Sequence, residues 1–396
     1  MYILSLMRFL CASMLCLLLM PSCVRRNNIN HEINTVYKAE NEDAAFITDP
    51  IRARAVEITL SLDDSLLATQ LLICGIDGRE RLPSYMTGLL AECPPGGVML
   101  FRYNLNTDND SIRGFLSETA SLIYDKSGIP PFMAVDHEGG VVNRFLPGVA
   151  SLPGALSYWE LSLEEGRLSA LSKIEADSFR AGSEINSLGI NMNFAPVAEY
   201  LTAENSYFLE SRSYGPDPVF TADAAASFIR GMERSGVLCV IKHFPGSAGD
   251  DPHYSTSALN GDRAALDTLV SPFAALIENG AGAVMVAHTS VPAIDSEISS
   301  LSPVVLRDWL RGDLGFNGII ISDDFSMAAA GGASPEEAAI RSIAAGTDMI
   351  LVWPPDIRRT HRAFVSALED GRLSRERARD AAVRIIYEKL KMGLTD

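Results

Sequence analysis

Cysteine is sparse in this chain and nowhere spaced to grip a metal ion. The six are Cys11, Cys16, Cys23, Cys74, Cys93 and Cys239, and none falls into a recognisable ligand pattern. Cys74 and Cys239 lie inside apolar runs, where a thiol behaves as a small buried hydrophobe. Cations are also in short supply: 33 Lys and Arg face 50 Asp and Glu, a formal charge of −17. That balance argues against a nucleic-acid partner, because phosphate backbones are bound by clustered Lys and Arg. Beyond about residue 50 there is no Pro/Ser-rich linker, internal repeat or low-complexity stretch, so no second domain boundary is marked. The 396 residues, 47% of them apolar, leave room for one large barrel of about 250 residues with additions.

Long apolar runs are missing except at the N-terminus, where Arg8 precedes Phe9–Met20 and then Pro21, Ser22 and Cys23. The run falls short of the about 20 apolar residues that cross a bilayer and suits the h-region of a signal peptide. Ser22-Cys23 resembles a relaxed lipobox, with Met20 and Pro21 as its departures. The expectation is a signal over 1–23 with a lipid on Cys23, which places the protein outside the cytoplasm, anchored to a membrane. A start at Met7 would set Arg8 directly after the initiator. The alternatives are a cleaved signal without lipid or an apolar N-terminal helix. Residues 24–58 are rich in Asn and charge and read as a polar tether. The domain is expected over 59–396.

What is abundant is alternation. Apolar, β-branched runs stand at Leu71–Gly75, Gly97–Phe101, Phe132–Val135, Ile190–Phe194, Val237–Ile241, Ala283–Ala287, Gly318–Ser322 and Asp348–Val352. Amphipathic stretches such as Ser111–Asp125, Leu163–Leu188, Asp223–Ser235 and Asp262–Asn279 separate them. Continuous apolar strands alternating with helices predict a parallel sheet covered on both faces. Eight of them predict an α/β fold of the (β/α)8 TIM type, a single catalytic domain. Ser374–Met392 reads as a closing helix.

In such a barrel the functional face lies where the strands end. Four of these runs stop abruptly at ionisable residues: Asp136-His137-Glu138, Lys242-His243, His288, and Asp323-Asp324. Glycines follow the first two, allowing close approach of a ligand. One junction of this kind is ordinary strand capping; several on different strands form a candidate site.

The stretches around these junctions closely resemble family 3 glycoside hydrolases, in the β-N-acetylglucosaminidase branch. The resemblance rests on Val135-Asp-His-Glu-Gly-Gly-Val-Val-Asn-Arg144, Leu188-Gly-Ile-Asn-Met-Asn-Phe-Ala-Pro-Val197 and Ser211-Arg-Ser-Tyr-Gly215. It continues through Lys242-His-Phe-Pro-Gly246, Val284-Met-Val-Ala-His288 and Gly315-Phe-Asn-Gly-Ile-Ile-Ile-Ser-Asp-Asp324, covering about residues 60 to 392. It implies a retaining, two-step hydrolysis of terminal β-linked sugars with no metal or cofactor. Asp323 takes the position of the nucleophile, an ionised carboxylate able to form and release a glycosyl ester. The alternative for Asp323 is helix capping, which Asp324 can supply instead. Asp136, Arg144, Arg212, Lys242 and His243 match sugar-binding positions, with structural ion pairing as the other reading. His288 and Glu138 stand at the same junctions, with support beneath the site as the alternative to a direct role.

The resemblance also implies an acid/base of an uncommon kind, a His paired with an Asp two residues earlier on a loop. Gly249-Asp-Asp-Pro-His253 supplies Asp251 and His253 at that spacing. Imidazole titrates near neutral pH, and a carboxylate orients it and supports its charged form. The chain departs from the branch here: Ser247-Ala248-Gly249-Asp250 replaces a His-Gly-Asp-Thr sequence, the loop is about two residues shorter, and Pro252 stands within the dyad. His137 and Val141 also replace the commoner Gln and Arg. The expected substrates are peptidoglycan fragments or chitooligosaccharides ending in β-N-acetylglucosamine. A β-glucosidase specificity and a glycan-binding lipoprotein without catalysis are the rival readings.

Overall fold

The eight apolar runs form eight strands because they can be buried on both faces. The computed structural model describes residues 49–249, 257–325 and 334–396. Residues 57–396 form one compact unit, and it carries the barrel. Its strands are β1 (Leu72–Gly75), β2 (Gly97–Leu100), β3 (Phe132–Val135), β4 (Met192–Asn193), β5 (Leu238–Phe244), β6 (Ala283–Val286), β7 (Ile319–Ser322) and β8 (Ile350–Val352). Each pairs in parallel with the next through β7, and β8 pairs back onto β1 in the register Leu72↔Ile350, Ile73↔Leu351, Cys74↔Val352. Between β7 and β8 a parallel bridge at Ile321↔Met349 completes the ring.

That last seam is held by a polar group. Asp348 is fully buried, and its carboxylate accepts from Ile320 N at 2.8 Å, Arg311 Nη2 at 2.6 Å and Arg377 Nη2 at 2.8 Å. A buried carboxylate is tolerated only when paired in this way. β4 is short for a related reason. Asn191 and Asn193 flank and end it, and their side-chain oxygens accept from Met133 N at 2.8 Å and His137 N at 2.9 Å. The side-chain amides thus tie β4 to β3.

The helices follow their sequence signals, with two breaks that periodicity alone hid. Asn109–Ser127 is capped by the Asp108 carboxylate and stops at Gly128, whose φ is 71°. The stretch expected as one helix over Leu163–Leu188 divides at Gly166 (φ 94°) into Ala155–Glu165 and Arg167–Ser187. Asp262–Asn279 divides at Val270, because Pro272 has no N–H to continue the preceding helix. The closing helix is Arg375–Lys391, with Ser374 Oγ accepting from Arg377 N at 3.1 Å. A helix over Pro50–Ser61 crosses the boundary expected between tether and domain. The signal segment, Cys23 and most of the tether lie outside the described residues, as does the loop holding Asp251 and His253.

The closing helix carries a buried amine. Lys389 is fully buried; its Nζ donates to Gln70 Oε1 at 3.1 Å and stands 5.1 Å from the Phe132 ring centroid. Burial pushes its pKa down from 10.5 to about 7. Between those values the unfolded chain binds more protons than the folded one, so this group's contribution to stability rises with pH across the window and is least favourable below it. Lys389→Met is therefore expected to raise the thermal midpoint more at pH 6 than at pH 10. Equal gains at both pH values would contradict this.

Candidate active site

The C-terminal rim of the barrel gathers its charges from β3, β5 and the loop after β4. Asp136 follows β3 directly, and Glu138 stands two residues on. Lys242 and His243, expected just beyond a strand, lie within β5, which runs on to Phe244 through a register irregularity after Ile241. That extension brings Lys242 Nζ between two carboxylates, 2.7 Å from Asp136 Oδ1 and 2.6 Å from Glu138 Oε1. Arg212 forks onto Glu138, with Nε donating to Oε2 and Nη2 to Oε1, both at 2.8 Å. Arg144 Nη2 stands 3.6 Å from Asp136 Oδ2. His243 Nδ1 is 2.7 Å from Glu199 Oε1, and the Glu199 carboxylate also accepts from His243 N at 3.1 Å and Ser247 N at 2.5 Å.

Burial sorts these groups into support and contact. The Lys242 and Glu138 side chains are 3% and 5% exposed, whereas Asp136 and Arg144 keep 20% and 30%. Burial alone would push Glu138 up, but Lys242 and Arg212 overcome it and hold the carboxyl well below the ordinary range. Burial likewise opposes the charge on Lys242, and Asp136 and Glu138 more than restore it, raising its pKa. Glu199 is the same kind of group: burial would raise it, and the hydrogen bonds from His243 and Ser247 bring it below its usual value. Glu138 and Glu199 are therefore fixed anions beneath the rim. Asp136 and Arg144 reach the opening, and Arg144 Nε has no hydrogen-bond partner among the described residues.

Arg212 is aimed by a strained turn. Glu210, two residues before it, has φ 43° and ψ −120°, a region that side chains disfavour at about 1–3 kcal/mol. Phe208 from the same turn packs under the guanidinium at 5.2 Å, with its ring 6.3 Å from that of His243. Glu210→Gly is expected to stabilise the fold by about 1 kcal/mol, the relief of strain outweighing the entropy glycine adds to the unfolded chain. Urea unfolding measures this, and a loss of stability would contradict it.

Asp323 stands at the end of β7, four strands from β3 and so across the barrel from Asp136. Its N–H donates to Val286 O at 3.1 Å, and its Oδ1 accepts from Asp324 N at 2.9 Å. The side chain is partly exposed, unlike the buried anions of the clamp. His288, after β6, supports this corner: Nδ1 is 2.7 Å from Ser300 Oγ and Nε2 is 3.1 Å from Asp324 O. The carbonyl requires a proton on Nε2, so Nδ1 accepts from the serine. Burial pushes the His288 pKa down, which favours that neutral form.

His137 is wholly buried, its Nε2 2.6 Å from Ala150 O and its ring edge-on to Phe145. Burial brings its pKa down to about 4, so it packs as a neutral side chain. The structure brings Asp136, Arg144, Arg212, Lys242, His243 and Asp323 to one rim, while Asp251 and His253 fall outside the described residues. It adds Glu199, which sequence reasoning passed over. Its signal was a lone acid soon after an apolar run, in Phe194-Ala-Pro-Val-Ala-Glu199. No three His, Cys, Asp or Glu side chains converge as metal ligands among the described residues.

A closed barrel with a charged clamp on one side of its rim and an accessible carboxylate on the other defines a (β/α)8-barrel enzyme. The profile of the glycosyl hydrolase family 3 N-terminal domain matches residues 70–387. A β-hexosaminidase of Stenotrophomonas maltophilia (strain K279a) is 33% identical over 294 residues, 72% of this chain and 84% of the relative. Among solved structures, a family 3 β-N-acetylglucosaminidase from Paenibacillus sp. FPU-7 superposes with a TM-score of 0.78 at 29% identity. That match covers 84% of this chain and 63% of the Paenibacillus chain. A β-N-acetylhexosaminidase from Beutenbergia cavernae gives 0.75 at 29% identity, over 83% of this chain and 99% of the other. The chain belongs to glycosyl hydrolase family 3, and it is a glycoside hydrolase.

Proposed function

We propose that the protein is a retaining exo-β-N-acetylglucosaminidase that removes terminal β-linked N-acetylglucosamine from peptidoglycan fragments or chitooligosaccharides. The observation that carries the reading is the placement of accessible Asp323 across the rim from the Asp136–Lys242–Arg144 clamp. Names of similar proteins support the sugar: both β-hexosaminidases and a β-N-acetylglucosaminidase are among them. Hydroxyls of the terminal sugar donate to Asp136 and accept from Arg144, charge-assisted bonds that are short and directional, while Lys242 holds Asp136 from beneath. Such bonds hold the ring while its anomeric carbon faces Asp323.

In the first step an Asp323 oxygen bonds to the anomeric carbon as the glycosidic C–O bond breaks, and His253 gives its proton to the departing oxygen. In the second step His253 takes a proton from water, whose oxygen attacks the same carbon and releases Asp323 as carboxylate. Asp251 orients the imidazole and supports its charged form. The two displacements together retain the β configuration. Glu138, Arg212 and Glu199 hold the clamp and His243 in place.

The test is hydrolysis of p-nitrophenyl β-N-acetylglucosaminide beside p-nitrophenyl β-glucoside. Preferential release from the first is expected. Release only from the glucoside would shift the specificity, and binding of N-acetylglucosamine without release from either across pH 5–8 would remove the enzymatic reading. For the N-terminus we propose export with a diacylglyceryl group on Cys23. Cells fed labelled palmitate should label the wild-type protein and not Cys23→Ala; labelling of neither would leave a plain secretory signal.

A further inference from the structure

The polar clamp occupies only one side of the rim. On the other arc, between β7 and β3, the ends of β8 and β2 carry aromatic rings. Phe101, directly after β2, stacks on Trp353, directly after β8, with centroids 4.9 Å apart and planes at 25°. Tyr103 continues the stack, 5.9 Å from Phe101 at 8°. β1 runs between these strands, and its last residue makes the arrangement fit. A Cβ on Gly75 would stand 3.1 Å from Trp353 Cε3 and 3.5 Å from Phe101 Cε2. Trp353 Nε1 donates to Asp324 Oδ2, tying the stack to the residue after Asp323. Tyr103 is held from its other end, its hydroxyl donating to Ile76 O at 3.0 Å, yet the residue remains 47% exposed.

Three stacked rings left partly open at a rim are not explained by core packing, since burying them fully would stabilise the fold more. They are explained by a ligand with an apolar face. A β-linked pyranose presents one, a sheet of axial C–H bonds, and aromatic faces are the surfaces that take it. The charged clamp already accounts for the hydroxyls of one ring. The stack reaches Asp324, the neighbour of Asp323, through the Trp353 indole; with the anomeric carbon facing Asp323 as proposed above, the sugar it meets is the one joined through that carbon.

We propose that the Phe101–Tyr103–Trp353 stack is the subsite for the leaving-group sugar, a second pyranose of a β-linked aminosugar oligomer. The proposal rests on the glycosidase reading above. It makes Tyr103, the most exposed of the rings, a determinant of preference for oligosaccharides over monosaccharides.

The test uses the full chain carrying Asp323→Asn to block hydrolysis, with N-acetylglucosamine and chitobiose as titrants in calorimetry. Adding Tyr103→Ala is expected to weaken chitobiose about tenfold, the worth of one aromatic face, and the monosaccharide less than twofold. Tyr103→Phe, which keeps the ring and loses the bond to Ile76, is expected to weaken chitobiose less than twofold. Equal losses for both sugars, or none for chitobiose, would overturn the subsite. Hydrolysis of p-nitrophenyl β-N-acetylglucosaminide by the wild-type enzyme is measured alongside. Its absence would overturn the exo-β-N-acetylglucosaminidase reading and the subsite together, whereas hydrolysis with chitobiose binding independent of the Tyr103 ring would overturn the subsite alone.

Discussion

Asp323→Ala is expected to lower kcat on an aryl β-N-acetylglucosaminide by roughly four orders of magnitude or more, as removal of a covalent nucleophile does. Fold and sugar affinity should change little. Asp323 is partly exposed, and its Oδ1 accepts from the neighbouring Asp324 N; it forms no ion pair among the described residues. The corner is held by other atoms, through the Asp323 N–H to Val286 O and through His288 to Asp324 O. The clamp of Asp136, Lys242 and Glu138 stands across the barrel and is untouched. Inhibition by N-acetylglucosamine should therefore persist at a near wild-type constant while turnover is lost. Added azide should restore part of the rate by taking the place of the carboxylate, giving the inverted glycosyl azide. A loss below about tenfold would mean that Asp323 only caps the chain after β7.

His253→Ala is expected to separate substrates by their leaving groups. General acid catalysis contributes about 10²- to 10⁴-fold, and a sugar alkoxide needs all of it. A p-nitrophenolate departs with little protonation. Turnover of chitobiose should fall by two to four orders of magnitude by that measure, while the glycosylation step of the aryl substrate falls far less. Asp251→Ala should follow the same pattern more weakly, because it acts through the imidazole. Parallel losses on both substrates would assign the proton to another group. Set beside the wild-type rates on the two substrates, this variant therefore also measures how much acid catalysis the loop delivers.

Most of the barrel was legible in the sequence because parallel strands buried on both faces must be continuously apolar. The runs at Phe132–Val135 and Ala283–Ala287 needed no tertiary information to be read as strands. Features that depend on contacts between distant residues were not legible. β5 extends through Lys242 and His243 because Asp136, Glu138 and Glu199 are there to receive them; the local sequence suggests that the strand stops at Ile241. Glu199 escaped notice because a single acid after an apolar run has no periodicity, and its meaning lies in His243 and Ser247, more than forty residues on. The break at Gly166 lay inside an unbroken amphipathic pattern. The resemblance marked residues that meet at the rim, and the structure divided them into partly exposed and buried groups.

The proposed mechanism turns on a covalent bond between Asp323 and the sugar. It is tested most directly by mass spectrometry of the protein after incubation with a 5-fluoro β-N-acetylglucosaminyl fluoride, whose glycosyl ester forms faster than water releases it. The predicted result is one added fluoro-N-acetylglucosaminyl group, located by peptide mapping on Asp323 and absent from Asp323→Ala. Steady turnover with no adduct, or an adduct on any other residue, would contradict it.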